Sequence, residues 1–405
     1  MTKENQNRRI SKGWQLTASI SSIFIIIALG FTLIFAPAAI EKGTNQINAH
    51  PPYPISQEAS RLHQQLTVAD LHADSLLWNR DLSQQANYGH VDLPRLQQGN
   101  VAIQTFAVPT KSPRGQNYSR NESDAPDGIT LLAMIQAWPP ATWNSLYQRA
   151  LYQSGKLHKL EQSNPEDLKI IRNQSDLGMV LTARQKGSQQ VAALLALEGA
   201  HAFEGNLDNL EGLYEAGYRM IGLHHFFDNR LGGSLHGVSG SRLSLFGRRA
   251  LARMEALNMI VDLAHSSESV VDEVLKLAKR PVVISHTGIL GTCDSPRNIS
   301  DNLIQRIAEK GGLIGIGFWD AICDTSPEGI VNTLRYAIDL AGEDHIALGS
   351  DFDGGTKVSL DASELAVLTE LMMRKGFSET EIRKVMGENV QKFLMKHLPE
   401  EKTEA

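Results

Sequence analysis

Eight short apolar runs, separated by longer stretches of helical spacing, constrain this chain more than any other feature. The runs are Val68–Leu71, Val101–Ala107, Val191–Leu197, Arg219–Leu223, Met259–Leu263, Pro281–Ser285, Leu313–Gly317 and His345–Gly349. Strands alternating with helices imply βα units and a parallel sheet. Eight such units fit an α/β fold of the (β/α)8 TIM-barrel type, which uses about 250 residues or more. The structural competitor, an open doubly wound sheet, usually carries a Gly-rich phosphate loop after its first strand. No G-x-G-x-x-G follows Val68–Leu71.

The barrel is expected over residues 61–398, ahead of a charged, frayed tail at 399–405. Lys111 to Gly128 is polar and reads as a loop. Ile129 to Leu160 has helical apolar spacing and reads as an excursion beside the barrel mouth. Ser378 and Glu381 spell a capping box, and Gly376 suits the end of the helix before it.

The N-terminus is distinct. No charged side chain occurs from Gly13 to Ile40, and Ile20 to Phe35 is almost wholly apolar. About 20 such residues cross a bilayer as a helix. Lys3, Arg8, Arg9 and Lys12 precede it and favour a cytoplasmic N-terminus, with the body of the protein outside. We therefore expect a basic cytoplasmic segment at 1–15, a transmembrane anchor at 16–40 and a Pro-containing linker at 41–60. Ala36-Pro37-Ala38 resembles a signal cleavage site, so a secreted form stays open. The net charge of -6 and the lack of a basic stripe beyond the N-terminus argue against nucleic acid. Cys293 and Cys323 permit one disulfide in an exported protein, and two buried thiols equally well. A homodimer is left open.

The residues at the strand ends carry the chemistry. His72 and Asp74 follow the first run, Glu198 ends the third, and His225, His265 and His286 end the fourth, fifth and sixth. Asp351 ends the eighth. Six of eight strand ends thus carry a residue type that apolar barrel strands otherwise avoid. The C-terminal strand ends of such a barrel point at one mouth, so these residues converge. His72 and Asp74 can grip one ion, His265 and His286 a second, and the Glu198 carboxylate can bridge both. Imidazole and carboxylate suit zinc, and manganese or cobalt could substitute. Two metals sharing a water generate hydroxide near neutral pH. Asp351 is placed to shuttle its proton. The remaining histidines, among them His201 and His236, read as structural.

These motifs together resemble the membrane dipeptidase (renal dipeptidase) family of binuclear zinc peptidases. The likeness runs from about Val68 to about Leu398. It is carried by Asp70-Leu71-His72-Ala73-Asp74, Leu197-Glu198-Gly199, Val261-Asp262-Leu263-Ala264-His265, Ile284-Ser285-His286, Pro296-Arg297-Asn298 and Gly349-Ser350-Asp351-Phe352-Asp353-Gly354. The resemblance implies two Zn2+ ions held by His72, Asp74, Glu198, His265 and His286, with Asp351 as acid/base. It implies a histidine that steadies the oxyanion. His224 and His225 compete for that role, and spacing from Glu198 favours His225. It implies that Arg297 binds the substrate carboxylate, and that Cys293 and Cys323 are bonded. The implied activity is hydrolysis of dipeptides, including those ending in a D-residue. The alternatives are a related barrel amidohydrolase, lactonase or phosphoesterase, and a non-catalytic membrane-tethered binding protein.

Overall fold

The computed structural model describes residues 30, 35–115 and 117–401. Eight strands form the barrel: β1 (Val68–Ala73), β2 (Val101–Pro109), β3 (Val191–Glu198), β4 (Tyr218–Gly222), β5 (Ile260–Asp262), β6 (Val283–Thr287), β7 (Leu313–Ile316) and β8 (Ile346–Leu348). Each pairs in parallel with its sequence neighbour, and β8 pairs with β1 through Leu348 and Asp70 to close the ring. Every residue of these strands is buried. That burial on both faces is why each strand reads as a continuous apolar run rather than an alternating one.

Every expected run coincides with a strand, but some boundaries move. Pro281 has no N–H to give to a ladder, so β6 starts at Val283 and encloses His286 instead of ending before it. A further strand, Leu168–Ile170, pairs with the start of β3. It escaped the sequence reading because it has only three residues and its centre is Lys169.

The helices lie outside the ring. Asp301–Glu309 is representative: Leu303, Ile304, Ile307 and Ala308 face inward, and the Ser300 hydroxyl caps the helix by accepting the Leu303 N–H. Each buried Leu or Ile there contributes about 1.5–3 kcal/mol, and losing the cap would cost about 1 kcal/mol. The excursion after β2 forms helices Gly128–Ile135, Ala141–Asn144 and Leu146–Ser163. Arg149 ties it down through Asp127 and the Thr110 carbonyl. The capping box at Ser378 and Glu381 is present, followed by helix Glu379–Arg383.

Of the expected anchor at 16–40 only residues 30 and 35–40 are described, and the basic segment 1–15 lies outside the described residues. Among the described residues no helix is long and apolar enough to cross a membrane. The segment 41–60, read as a linker, is instead partly regular. Residues 35–44 are helical, Gln46–Ile47 pairs with Lys357–Val358, and a helix begins at Gln57. The expectation failed because Pro51, Pro52 and Pro54 mark irregular chain, while the docking of the residues before them depends on a distant partner.

Two glycines let the strands close around the site. A side chain on Gly315 or Gly349 would collide with the Ser285 carbonyl oxygen, its Cβ falling 2.0 or 2.1 Å away. Glycine there lets β7 and the end of β8 approach β6.

Candidate metal centre

All seven predicted strand-end residues meet at the C-terminal mouth. The Glu198 carboxylate is the hub. Its Oε1 lies 3.5 Å from His72 Nε2, 3.2 Å from His265 Nε2 and 3.5 Å from His286 Nε2. Its Oε2 lies 3.5 Å from His225 Nε2. His72 Nε2 is also 3.5 Å from Asp74 Oδ1 and 3.9 Å from Asp351 Oδ1. Three overlapping groups of potential ligands result: His72, Glu198 and His286; Glu198, His225 and His265; His72, Asp74 and Asp351. His224 is turned away, its Nδ1 3.1 Å from the Ser266 hydroxyl.

The hydrogen bonds behind the site fix which nitrogen of each ring faces forward. The Ser285 hydroxyl donates to Asp262 Oδ2 at 2.6 Å, so its oxygen accepts from His286 Nδ1 at 2.9 Å and His72 Nδ1 at 3.2 Å. His236 donates from Nδ1 to the Tyr118 carbonyl at 2.7 Å, so its Nε2 accepts from His265 Nδ1 at 2.9 Å. His225 donates from Nδ1 to the Lys111 carbonyl at 3.0 Å. Each neutral ring carries one proton, so His225, His265 and His286 turn a bare Nε2 toward Glu198, and His72 does the same once a cation takes the place of its Nε2 proton. The Nε2 atoms of His265 and His286 are only 2.9 Å apart.

Such a cluster of lone pairs around a carboxylate calls for positive charge. Among the described residues, His72 Nε2, Asp74 Oδ1 and Glu198 Oε2 are buried with no hydrogen-bond partner. Unpaired buried polar atoms are costly, and here they converge on one space. Burial opposes charge on His72, yet the Glu198 and Asp74 carboxylates overcome it and push the ring up to about 10. Burial holds His265 and His286 well below the ordinary imidazole range, with Arg297 adding to the effect. Neutral imidazoles and carboxylates are the donor set of a divalent zinc-type site, so the residues fit bound metal.

Burial, reinforced by Asp74, pushes Asp351 up to about 8, against the pull of His72. Asp351 and His265 adopt left-handed backbone, with φ of 60° and 61°. Strain of this kind persists only where the surroundings impose it. For Asp351 those surroundings include the Thr356 hydroxyl on its carbonyl, at 2.9 Å. The Ser350 N–H and hydroxyl beside it both donate to Asp70 of β1, at 2.8 Å each.

Arg297 is buried at the edge of this cluster. Its Nη2 donates to the His286 carbonyl at 3.0 Å and lies 3.3 Å from His265 Nε2, while Nη1 has no hydrogen-bond partner among the described residues. The guanidinium sits 5.3 Å from the Trp319 ring centre. Cys293 and Cys323 form a disulfide, Cα to Cα 5.6 Å, which joins the loop carrying Arg297 to the loop after β7. Over the site lies a cavity of about 400 Å³. Glu198, Asp351 and Arg297 line it, together with apolar walls from Trp78, Phe226 and Trp319. That size suits a small organic ligand.

His236, Ser285 and Asp262 were missed as functional from sequence. His236 lies in a loop with no periodic pattern. The other two sit in quoted motifs, where only the hydrogen bonds of the folded chain reveal their partners.

A family model described as membrane dipeptidase (peptidase family M19) matches residues 56–403. The chain is 26% identical over 415 residues to the dipeptidase aclJ of Aspergillus oryzae, spanning 96% of this chain and 89% of that protein. It is 27% identical over 321 residues to an uncharacterized dipeptidase, C965.12, of Schizosaccharomyces pombe, spanning 74% of this chain and 70% of that one. Its fold is similar to the crystal structure of dipeptidase AC, a metallopeptidase, with a TM-score of 0.66 and 25% identity over 82% of this chain and 99% of that one. A metallopeptidase from Rhodobacter sphaeroides, liganded with a phosphinate mimic of the dipeptide L-Ala-D-Ala, shares the fold. The TM-score there is 0.65 and the identity 24%, over 82% of this chain and 99% of that one.

Proposed function

Because the chain belongs to the membrane dipeptidase family, peptidase family M19, we propose that it hydrolyses dipeptides with a free C-terminal carboxylate, including those ending in a D-residue, with two zinc ions at the barrel mouth. The observation that carries this reading is the placement of three Nε2 atoms, from His72, His265 and His286, within 3.5 Å of one Glu198 oxygen. His72 and Asp74 would hold one ion, His265 and His286 the other, with Glu198 shared. When bound, the ions would acidify a water and polarise the scissile carbonyl.

The chain's own residues supply the rest. Arg297 Nη1 is a buried donor without a partner among the described residues, and a guanidinium suits a carboxylate. Binding the dipeptide's C-terminus there sets the peptide bond beside Glu198. Asp351 takes the proton of the attacking water and delivers it to the leaving amine. A carboxyl held near neutral can both accept and donate. His225 borders the site next to Glu198 Oε2. With Nδ1–H on the Lys111 carbonyl, it donates to an oxyanion only when doubly protonated, and burial holds its pKa down to about 3. We therefore assign His225 to the oxyanion: its doubly protonated form donates from Nε2, and the negative charge that develops on the former carbonyl oxygen favours that form.

The reading extends to location. The charge-free N-terminal stretch behind Lys3, Arg8, Arg9 and Lys12 and the Cys293–Cys323 disulfide support a tethered domain outside the cytoplasm, because disulfides persist in oxidising compartments.

Elemental analysis of the purified chain, combined with a panel of dipeptides, lactones and phosphoesters, tests the function. Two zinc per chain with turnover of dipeptides alone is expected. Turnover confined to lactones or phosphoesters would transfer the site to another hydrolase class.

A further inference from the structure

Residues 40–48 precede the family match, which begins at residue 56, yet they pack into the barrel mouth. Glu41 is 2% exposed and pairs with Arg80, which also pairs with the buried Asp353. Asp353 lies two residues beyond Asp351 and further accepts the Ser75 hydroxyl at 2.6 Å and the His90 N–H at 2.7 Å. Asn45 Oδ1 accepts the Gly355 N–H at 2.9 Å, and the Gln46 N–H donates to the Thr356 carbonyl at 3.1 Å. The loop 351–358 is thus held between the barrel and this segment. The Thr44 hydroxyl donates to the Ile40 carbonyl at 2.7 Å. Its methyl lies toward Gly355, whose Cβ, if it had one, would fall 3.3 Å from Thr44 Cγ2. Thr44 also lines the cavity above Glu198 and Asp351. A plain spacer needs no buried carboxylate, since burying one costs free energy that only a close partner offsets.

We propose that residues 40–48 are a working part of the substrate site. Thr44 is a specificity-determining residue that limits the dipeptide side chain this wall accepts. Glu41 is a positioning residue that steadies the Asp351 loop through Arg80 and Asp353. The proposal rests on the dipeptidase reading above.

The test uses the full-length, metal-loaded chain. Thr44→Trp is expected to raise KM at least about tenfold for a dipeptide of two large residues, and to leave the smallest dipeptide within about twofold. Thr44→Gly is expected to lower KM for the large dipeptide. Glu41→Ala is expected to lower kcat about tenfold with KM little changed and metal content constant, and Glu41→Gln to lower it less. Size-independent effects of the Thr44 variants, or kcat insensitive to Glu41, would overturn the proposal. A wild type that cleaves no dipeptide would sink the dipeptidase reading instead. The docking would then be read from amide exchange at Gln46 and Asn48, slow if the segment is seated and fast if it is not.

Discussion

Nε2 of His236 lies 2.9 Å from Nδ1 of His265, on the far side of the imidazole from Glu198. This contact sets the direction in which His265 can offer a lone pair. Losing such a partner weakens metal affinity by about 10–100-fold in comparable sites. His236→Phe is expected to shift zinc affinity by that factor in a competition titration with a chelating dye. Unchanged affinity would remove His236 from the site.

Asp351→Asn keeps the shape of the side chain and removes its capacity to take a proton. Metal content should stay at the wild-type value while kcat falls by about 10²–10⁴. Metal loss in this variant would identify Asp351 as a ligand rather than a proton carrier.

Arg297→Lys replaces a planar fork by a point charge. We expect kcat/KM for a free dipeptide to drop by about a hundredfold, a loss of roughly 3 kcal/mol. A dipeptide amide, which lacks the carboxylate, should be turned over poorly and equally by both forms. Equal losses on the two substrates would argue against carboxylate recognition by Arg297.

Much of this centre was legible before folding was known. The strands read clearly because β3, Val191–Glu198, is apolar on both faces, and the metal-type residues stood out because they interrupt such runs. Leu168–Ile170 was too short to register. His236 and the Ser285–Asp262 pair were invisible as a supporting layer, since their roles arise from contacts across β5, β6 and a distant loop. Residues 41–48 were misread because Glu41 finds its partner Arg80 only in the folded chain. Local pattern reports burial and periodicity, and it carries no record of long-range pairing.

The Cys293–Cys323 bond closes a loop with a sequence separation of 30. Chain entropy assigns such a cross-link about 3–4 kcal/mol. The double variant Cys293→Ser, Cys323→Ser should unfold at lower temperature. Its KM should also rise, because Asn298, next to Arg297, hydrogen bonds to both the Cys293 and Ala321 carbonyls. An unchanged melting temperature would contradict this.

Burial, reinforced by His224, holds His201 down to about 3. The folded chain therefore binds this proton more weakly than the unfolded one, whose imidazole titrates near 6.5. Stability from His201 is complete above pH 6.5 and drains away as pH falls toward 3, by at most roughly 1.4 kcal/mol per pH unit. Urea unfolding of metal-free protein between pH 6 and 4 should show a shallower acid slope in His201→Gln than in wild type. Parallel slopes would refute the assignment.

The central claim is that two cations share Glu198. Diffraction from crystals of the zinc-loaded chain, measured on both sides of the zinc absorption edge, tests it directly. The account predicts two anomalous peaks about 3.5–4 Å apart, one beside His72 and Asp74, the other beside His265 and His286, with the Glu198 carboxylate touching both. A single peak, or peaks away from Glu198, would contradict it.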